Sequence, residues 1–116
     1  ENLEINELAD SYGNEQCEAH QSISAEAFYA LESGNVIQII DVRDKDEYEL
    51  FHLSYSTHIP LNVLEENHFK IDTKKPIYLI CQSGKRSQLA QKQLAQQNIT
   101  AINVEGGINS YLTLCT

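Results

Sequence analysis

Eleven residues, Ile77-Tyr78-Leu79-Ile80-Cys81-Gln82-Ser83-Gly84-Lys85-Arg86-Ser87, limit what this chain can fold into more than any other stretch. They begin as a short apolar run of the kind a buried strand uses. A cysteine follows, then a tight polar loop with one glycine, then a long helix-forming segment. Strand, loop and helix in that order put Cys81 at the carboxyl end of a strand, where open α/β sheets keep their sites. The same order aims the loop N–H groups and the helix N-terminus at the sulfur. Such a loop is an anion cradle and favours the thiolate over the thiol. A buried structural cysteine is the competing reading, since free cysteine is among the most buried residue types. A structural thiol, however, needs neither Gly84, which lets the loop turn back, nor the charges of Lys85 and Arg86. Cys81 therefore reads as a nucleophile.

The 116 residues suffice for one domain with a genuine core and not for two. At 41% hydrophobic and 22% charged, the composition is that of a globular protein. No apolar run approaches the roughly 20 residues of a membrane span, and no signal-peptide pattern is present. Three cysteines, one of them a candidate nucleophile, fit a reducing cytoplasm better than a disulfide framework. The chain starts at Glu1 without Met, as a fragment or processed form would. Its net charge is −9, and six acids but no Lys or Arg fall in residues 1–18. The acidic body argues against a nucleic-acid surface, while Lys85 and Arg86 form a local positive spot that draws anions. His20, His52, His58 and His68 show no metal-ligand spacing with any cysteine. We expect no metal and no cofactor.

Residues 1–21 read as an acidic linker or extension, and residues 22–116 as the domain. Ser24 is a good N-cap for a helix over Ala25 to Ser33, with Gly34 at the stop and Phe28 and Leu31 toward the core. A β-branched strand follows over Val36 to Ile40. Asp44 to Leu50 is a short helix whose first-turn acids suit the helix dipole. A short strand is expected near Thr57 to Ile59, a short helix over Leu61 to Phe69, and a turn over Asp72 to Pro76. The Cys81 strand comes next, then a helix over Lys85 to Gln97. On that helix Arg86, Ala90 and Leu94 share the inward face, and Gln88, Gln91, Gln96 and Gln97 cover much of the outside. A strand over Ala101 to Val104 and a helix over Ile108 to Leu114 close the chain. Helix and strand in alternation mean α/β with a mainly parallel sheet. Asp41 reads as a cap for the next helix or turn.

Cys81-Gln-Ser-Gly-Lys-Arg86-Ser87 resembles the active-site loop of rhodanese-family sulfurtransferases, C-x-x-G-x-R-[ST]. The resemblance continues through Ile40-Asp41-Val42-Arg43, Glu47-Tyr48-Glu49, His58-Ile59-Pro60-Leu61 and Val104-Glu105-Gly106-Gly107, and covers about residues 22–114. It implies a three-layer fold, with a central sheet of about five strands between helices. It implies that Cys81 carries sulfane sulfur as a persulfide, with Arg86 as its catalytic partner. Gln82, Ser83, Gly84, Lys85 and Ser87 would bind the substrate, and Asp41 and Arg43 would support the loop. Many rhodaneses have glycine before the first histidine, where this chain reads Phe51-His52-Leu53, and Trp where it has Tyr111. The Tyr111 difference is one of packing; with His58-Ile59-Pro60-Leu61 and no such glycine, the chain looks more like the rhodanese domains fused behind MoeB/ThiF-type adenylyltransferases. Ile5 to Tyr12 followed by Cys17 is similar to the linker of those fusions. There, sulfur passes to a small ubiquitin-like carrier for molybdopterin, thiamine or tRNA thiolation.

Two enzyme classes share this scaffold. The related phosphatases and arsenate reductases have C-x5-R, a wider cradle for a tetrahedral oxyanion. Cys81 to Arg86 is C-x4-R, which implies sulfur transfer, with thiosulfate or a donor-protein persulfide as source. A stand-alone thiosulfate or polysulfide sulfurtransferase is the alternative, and a non-catalytic interaction domain the third reading. A Cys–His dyad with His52 or His58 is discounted, because a thiolate made by loop dipoles needs no base. Cys17 reads as an incidental thiol, and Cys115 is assigned no role.

Overall fold

A computed structural model describes residues 21–114. The expectations for Cys17, for the linker and for Cys115 lie outside the described residues. Five strands run in chain order: β1 Ser22–Ile23, β2 Gln38–Asp41, β3 Ser56–His58, β4 Ile77–Ile80 and β5 Ile102–Val104. They form one sheet in the order β1-β5-β4-β2-β3, and every neighbouring pair is parallel. The helices are α1 Ala25–Gly34, α2 Lys45–Leu50, α3 Leu64–Asn67, α4 Lys85–Ala95 and α5 Gly107–Leu114.

The central strand explains the layering. All four residues of β4 are buried, as a strand covered on both faces requires. Ile77 and Leu79 join Ile40, Leu64, Ala90 and Leu94 on the side of α3 and α4. Tyr78 and Ile80 join Phe28, Ile39, Val104, Ile108 and Tyr111 on the side of α1 and α5. Burying a side chain such as Leu79 or Ile80 contributes about 1.5–3 kcal/mol, so β4 is the firmest platform available for the residue that follows it.

Most expected elements are present, with local shifts. Ser24 caps α1 by accepting from the Ala27 N–H at 3.1 Å. The helix runs through Gly34 and ends at Asn35, which is extended. The strand expected from Val36 starts at Gln38, and Val36 is exposed. The helix expected over Leu61 to Phe69 is broken into α3 with a 3-10 turn on either side. Helix α4 stops at Ala95, and Asn98 turns the chain with φ 62°. Gln91 is not on the outside: it is buried, and its Nε2 donates to Ala101 O at 2.8 Å and Gln21 O at 2.6 Å. Strand β1 was not anticipated. Two residues are too few to show a period, and β1 exists because β5 offers it an edge, through Asn103 N–H to Gln21 O and Glu105 N–H to Ile23 O.

Candidate active site

Cys81 directly follows β4 and is fully buried. The Gly84 N–H donates to its Sγ at 3.0 Å and the Ser87 N–H at 3.3 Å. Ser87 Oγ lies 3.4 Å from the same sulfur. Gly84 is the N-cap of α4 and sits at φ +101°, a left-handed conformation that side chains rarely adopt. That reversal carries the chain back over the sulfur, so two backbone dipoles and the start of α4 all present positive ends to Sγ. Donors of this kind stabilise an anionic sulfur more than a neutral one.

The loop is fixed from behind by α5. Ile108 N–H donates to Cys81 O at 2.8 Å and Asn109 N–H to Gln82 O at 3.0 Å. In a trans peptide the carbonyl and the N–H point opposite ways. Drawing these two carbonyls toward α5 therefore turns the Gln82 and Ser83 N–H groups away from it. The approach is close enough to demand glycine at 107, where a Cβ would stand 2.1 Å from Cys81 O.

Side chains brace the loop from β2. Asp41 and Arg43 form a buried ion pair, with Asp41 Oδ2 to Arg43 Nη2 at 2.8 Å. Arg43 Nη2 also donates to Phe51 O, and Nη1 donates to Gln82 Oε1 at 3.1 Å. Gln82 Nε2 donates to Asn109 Oδ1 at 2.7 Å. The Gln82 side chain is thus a strap between Arg43, just after β2, and Asn109 of α5, with both amide atoms engaged. Ser83 and Lys85 are exposed, and Lys85 has no carboxylate partner among the described residues.

Arg86 departs from expectation. Rather than lying on the inward face with Ala90 and Leu94, it is half-buried and reaches across to α2. Nη1 and Nη2 there donate to Glu47 Oε1 and Oε2 at 2.7 and 2.8 Å. A planar guanidinium pairs better with a carboxylate in this two-bond geometry than with scattered carbonyls. Glu47 also accepts from the Asp44 N–H at 3.1 Å, completing a capping box on α2. The Arg86 hydrogen bonds hold the Glu47 carboxyl down at about 2, against the opposing effect of burial. Glu47 in turn raises the Arg86 pKa. Sequence reading missed Glu47 as a partner, although Asp44-Lys-Asp-Glu47 carries the capping-box spacing. Neither histidine meets the sulfur. His52 Nδ1 bonds Tyr48 O and His58 Nε2 bonds Arg43 O, both at 2.8 Å, and both rings stack on Tyr48. Among the described residues no group of three or more His, Cys, Asp or Glu is placed to hold a metal, and no helix is long and apolar enough to cross a membrane.

The family model for the rhodanese-like domain matches residues 24–114. This chain belongs to the rhodanese-like family. It is 33% identical over 102 residues to the "Putative sulfur carrier protein YrkF" of Bacillus subtilis (strain 168), covering 86% of this chain and 55% of that one. It is 33% identical over 76 residues to the thiosulfate sulfurtransferase GlpE of Coxiella burnetii, covering 65% of this chain and 71% of GlpE. A weaker likeness, 36% over 75 residues, is to the adenylyltransferase and sulfurtransferase uba4 of Ogataea parapolymorpha, covering 63% of this chain and only 19% of that protein. The chain thus spans little more than half of YrkF and a fifth of uba4. The solved rhodanese-related protein of Thermoplasma volcanium superimposes with a TM-score of 0.75 at 29% identity, over 82% of this chain and 93% of that one. The rhodanese-like domain therefore has the five-stranded parallel sheet flanked by helices that its motifs implied.

Proposed function

We propose that this rhodanese-like domain is a sulfurtransferase that carries sulfane sulfur on Cys81 as a persulfide. Two backbone N–H donors aimed at one buried sulfur, from Gly84 and Ser87, carry the reading. In the first displacement the Cys81 thiolate attacks the outer sulfur of thiosulfate. A new S–S bond forms, and sulfite leaves with the electron pair of the bond that breaks. In the second, an acceptor nucleophile attacks the outer sulfur of the persulfide, and the S–S electron pair returns to Cys81 as thiolate. Loop N–H groups of residues 82–86 stabilise the terminal sulfur anion. Lys85 meets the anionic donor, and Arg86 holds the first turn of α4 in place through Glu47. Gln82 acts through its backbone N–H, since its side chain is engaged.

A donor-protein persulfide would enter the same cycle. The likeness to uba4, named an adenylyltransferase and sulfurtransferase, supports a place behind a MoeB/ThiF-type adenylyltransferase; in that setting we propose a small ubiquitin-like carrier as acceptor, for molybdopterin, thiamine or tRNA thiolation in the cytoplasm. The GlpE match, which spans most of that protein, favours instead a stand-alone thiosulfate enzyme. In either case residues 22–116 are the catalytic domain and residues 1–21 an extension.

Incubation with thiosulfate, followed by intact mass, tests the common core. One sulfur atom should be added and should be lost to cyanide or dithiothreitol. Cys81→Ser should take up none, and aryl phosphates should turn over negligibly, as C-x4-R implies. Cyanide-labile sulfur on the Cys81→Ser protein, or Cys81-dependent phosphatase turnover exceeding sulfur transfer, would refute the assignment.

A further inference from the structure

We propose that Asn103 is a positioning residue for the Cys81 sulfur, acting through Ser87. Its consequence for turnover rests on the sulfurtransferase reading, but its test does not.

Asn103 is the middle residue of β5. Its neighbours Ile102 and Val104 pack into the core on the side of α1 and α5. Alternation along the strand sends Asn103 the other way, under α4. An amide at a position only 2% exposed costs stability unless it is hydrogen-bonded. Its partner is Ser87, whose hydroxyl donates to Asn103 Oδ1. The same hydroxyl oxygen lies 3.1 Å from Gly84 O and 3.4 Å from Cys81 Sγ.

Ser87 has one hydroxyl proton and two oxygen lone pairs to share among these neighbours. When the sulfur is a thiol, S–H donates to Ser87 Oγ, and the hydroxyl proton goes to Asn103 Oδ1. When the sulfur is an anion, the hydroxyl proton must turn to the sulfur. Oγ then does best with a donor where Oδ1 stood. An amide supplies it: a half-turn about χ2 puts Nδ2–H there, with almost no change of shape. Nδ2 has no acceptor among the described residues, so this turn breaks no other hydrogen bond among them. Asn103 also borders a cavity of about 230 Å³ with the polar side chains of Gln88, Lys92 and Glu105 on its walls. That cavity is roomy enough for water to serve whichever amide end faces away from Ser87. Asn103 thereby lets Ser87 accept from S–H in one charge state and donate to the sulfur in the other.

Aspartate separates these roles, because it accepts and cannot donate. The test is the pH dependence of Cys81 alkylation by iodoacetamide in the full chain, with Cys17→Ser and Cys115→Ser so that intact mass reports Cys81 alone. Among the described residues, Lys85, Arg86 with its partner Glu47, and Lys92 of α4, Glu105 after β5 and the Asp41–Arg43 pair carry charge on the elements packed about the trio, and all stay unchanged. Asn103→Asp should move the profile to higher pH, slowing alkylation about tenfold at a fixed pH on its rising limb. In a Ser87→Ala background the same substitution should slow it only a few-fold, the residue of its bare charge. Asn103→Leu, similar in size and without polar atoms, serves if the aspartate variant does not fold. It should slow alkylation several-fold with Ser87 present and not with Ser87→Ala, a coupling a double-mutant cycle reads directly. Equal shifts with and without Ser87, or an unmoved profile in a folded variant, would overturn the proposal. Coupled shifts without cyanide-labile sulfur uptake would sink the sulfurtransferase reading and leave this one standing.

Discussion

Arg86 and Glu47 hold each other by two parallel bonds, and the pair ties the first turn of α4 to the first turn of α2. Each side chain is about a third exposed, at 32%, so the pair is worth about 1 kcal/mol rather than the several of a fully buried one. Its pH dependence has a definite sign. The Glu47 carboxyl titrates at about 2 when folded, below its ordinary 4.5. Its stabilisation is therefore complete above about pH 4.5 and is lost as pH falls through 2. Glu47→Gln should lower stability by about 1 kcal/mol at pH 7, and the difference from the native chain should close between pH 4.5 and 2. Denaturant titration at several pH values reads this directly, and a difference that persists at pH 2 would show that the pair contributes by packing and not by charge. Cys81 and Gly84 were legible in the sequence because their roles are local: a strand end, and a turn that only glycine takes easily. The Arg86 partner was not, because it sits 39 residues away on a helix whose docking no local pattern encodes.

Helix α5 does for the loop backbone what Glu47 does for Arg86. Its first turn takes the carbonyls of Cys81 and Gln82, and the contact tolerates no side chain at Gly107. Gly107→Ala brings a methyl group within 2.1 Å of Cys81 O at φ +56°, so the loop or the helix must move. We expect a loss of about 1–3 kcal/mol of stability, from strain and overpacking together. Sulfur transfer should fall at least tenfold, since an ångström of misplacement in such a site costs that and more. Gly34→Ala is the control: a Cβ there meets nothing within 4 Å, and the change should be neutral or stabilising by a few tenths of a kcal/mol. Equal effects from the two substitutions, in thermal melts and in turnover, would mean that the α5 contact does not position the loop. At this scale the spacing of apolar residues revealed the long helices, and an unbroken apolar run revealed β4. It could not reveal β1, which owes its existence to a neighbouring edge. Nor could it show that Gln91 turns inward to serve the carbonyls of Gln21 and Ala101.

Across the whole molecule the charge opposes the chemistry proposed for the loop. The chain carries −9, and a dianionic donor such as thiosulfate must approach through that field to reach a buried sulfur. Residues 1–18 hold six of the seventeen acids and none of the eight bases, so they supply most of the excess. Lys85, exposed and without a carboxylate partner among the described residues, adds an unpaired positive charge beside Arg86 at the start of α4. Replacing Glu1, Glu4, Glu7, Asp10, Glu15 and Glu18 by their amides leaves −3 and should lower KM for thiosulfate several-fold at low salt. Lys85→Ala should move KM the other way by a similar factor, about 1 kcal/mol at most for an exposed charge. Both effects should fade as salt rises, because the screening length falls from about 30 Å at 0.01 M to about 3 Å at 1 M. Neither substitution touches the N–H groups on the sulfur, so kcat should hold. Steady-state kinetics at two ionic strengths decides the matter: a change in KM that ignores salt would mean contact rather than field, and a fall in kcat would put Lys85 inside the reaction itself.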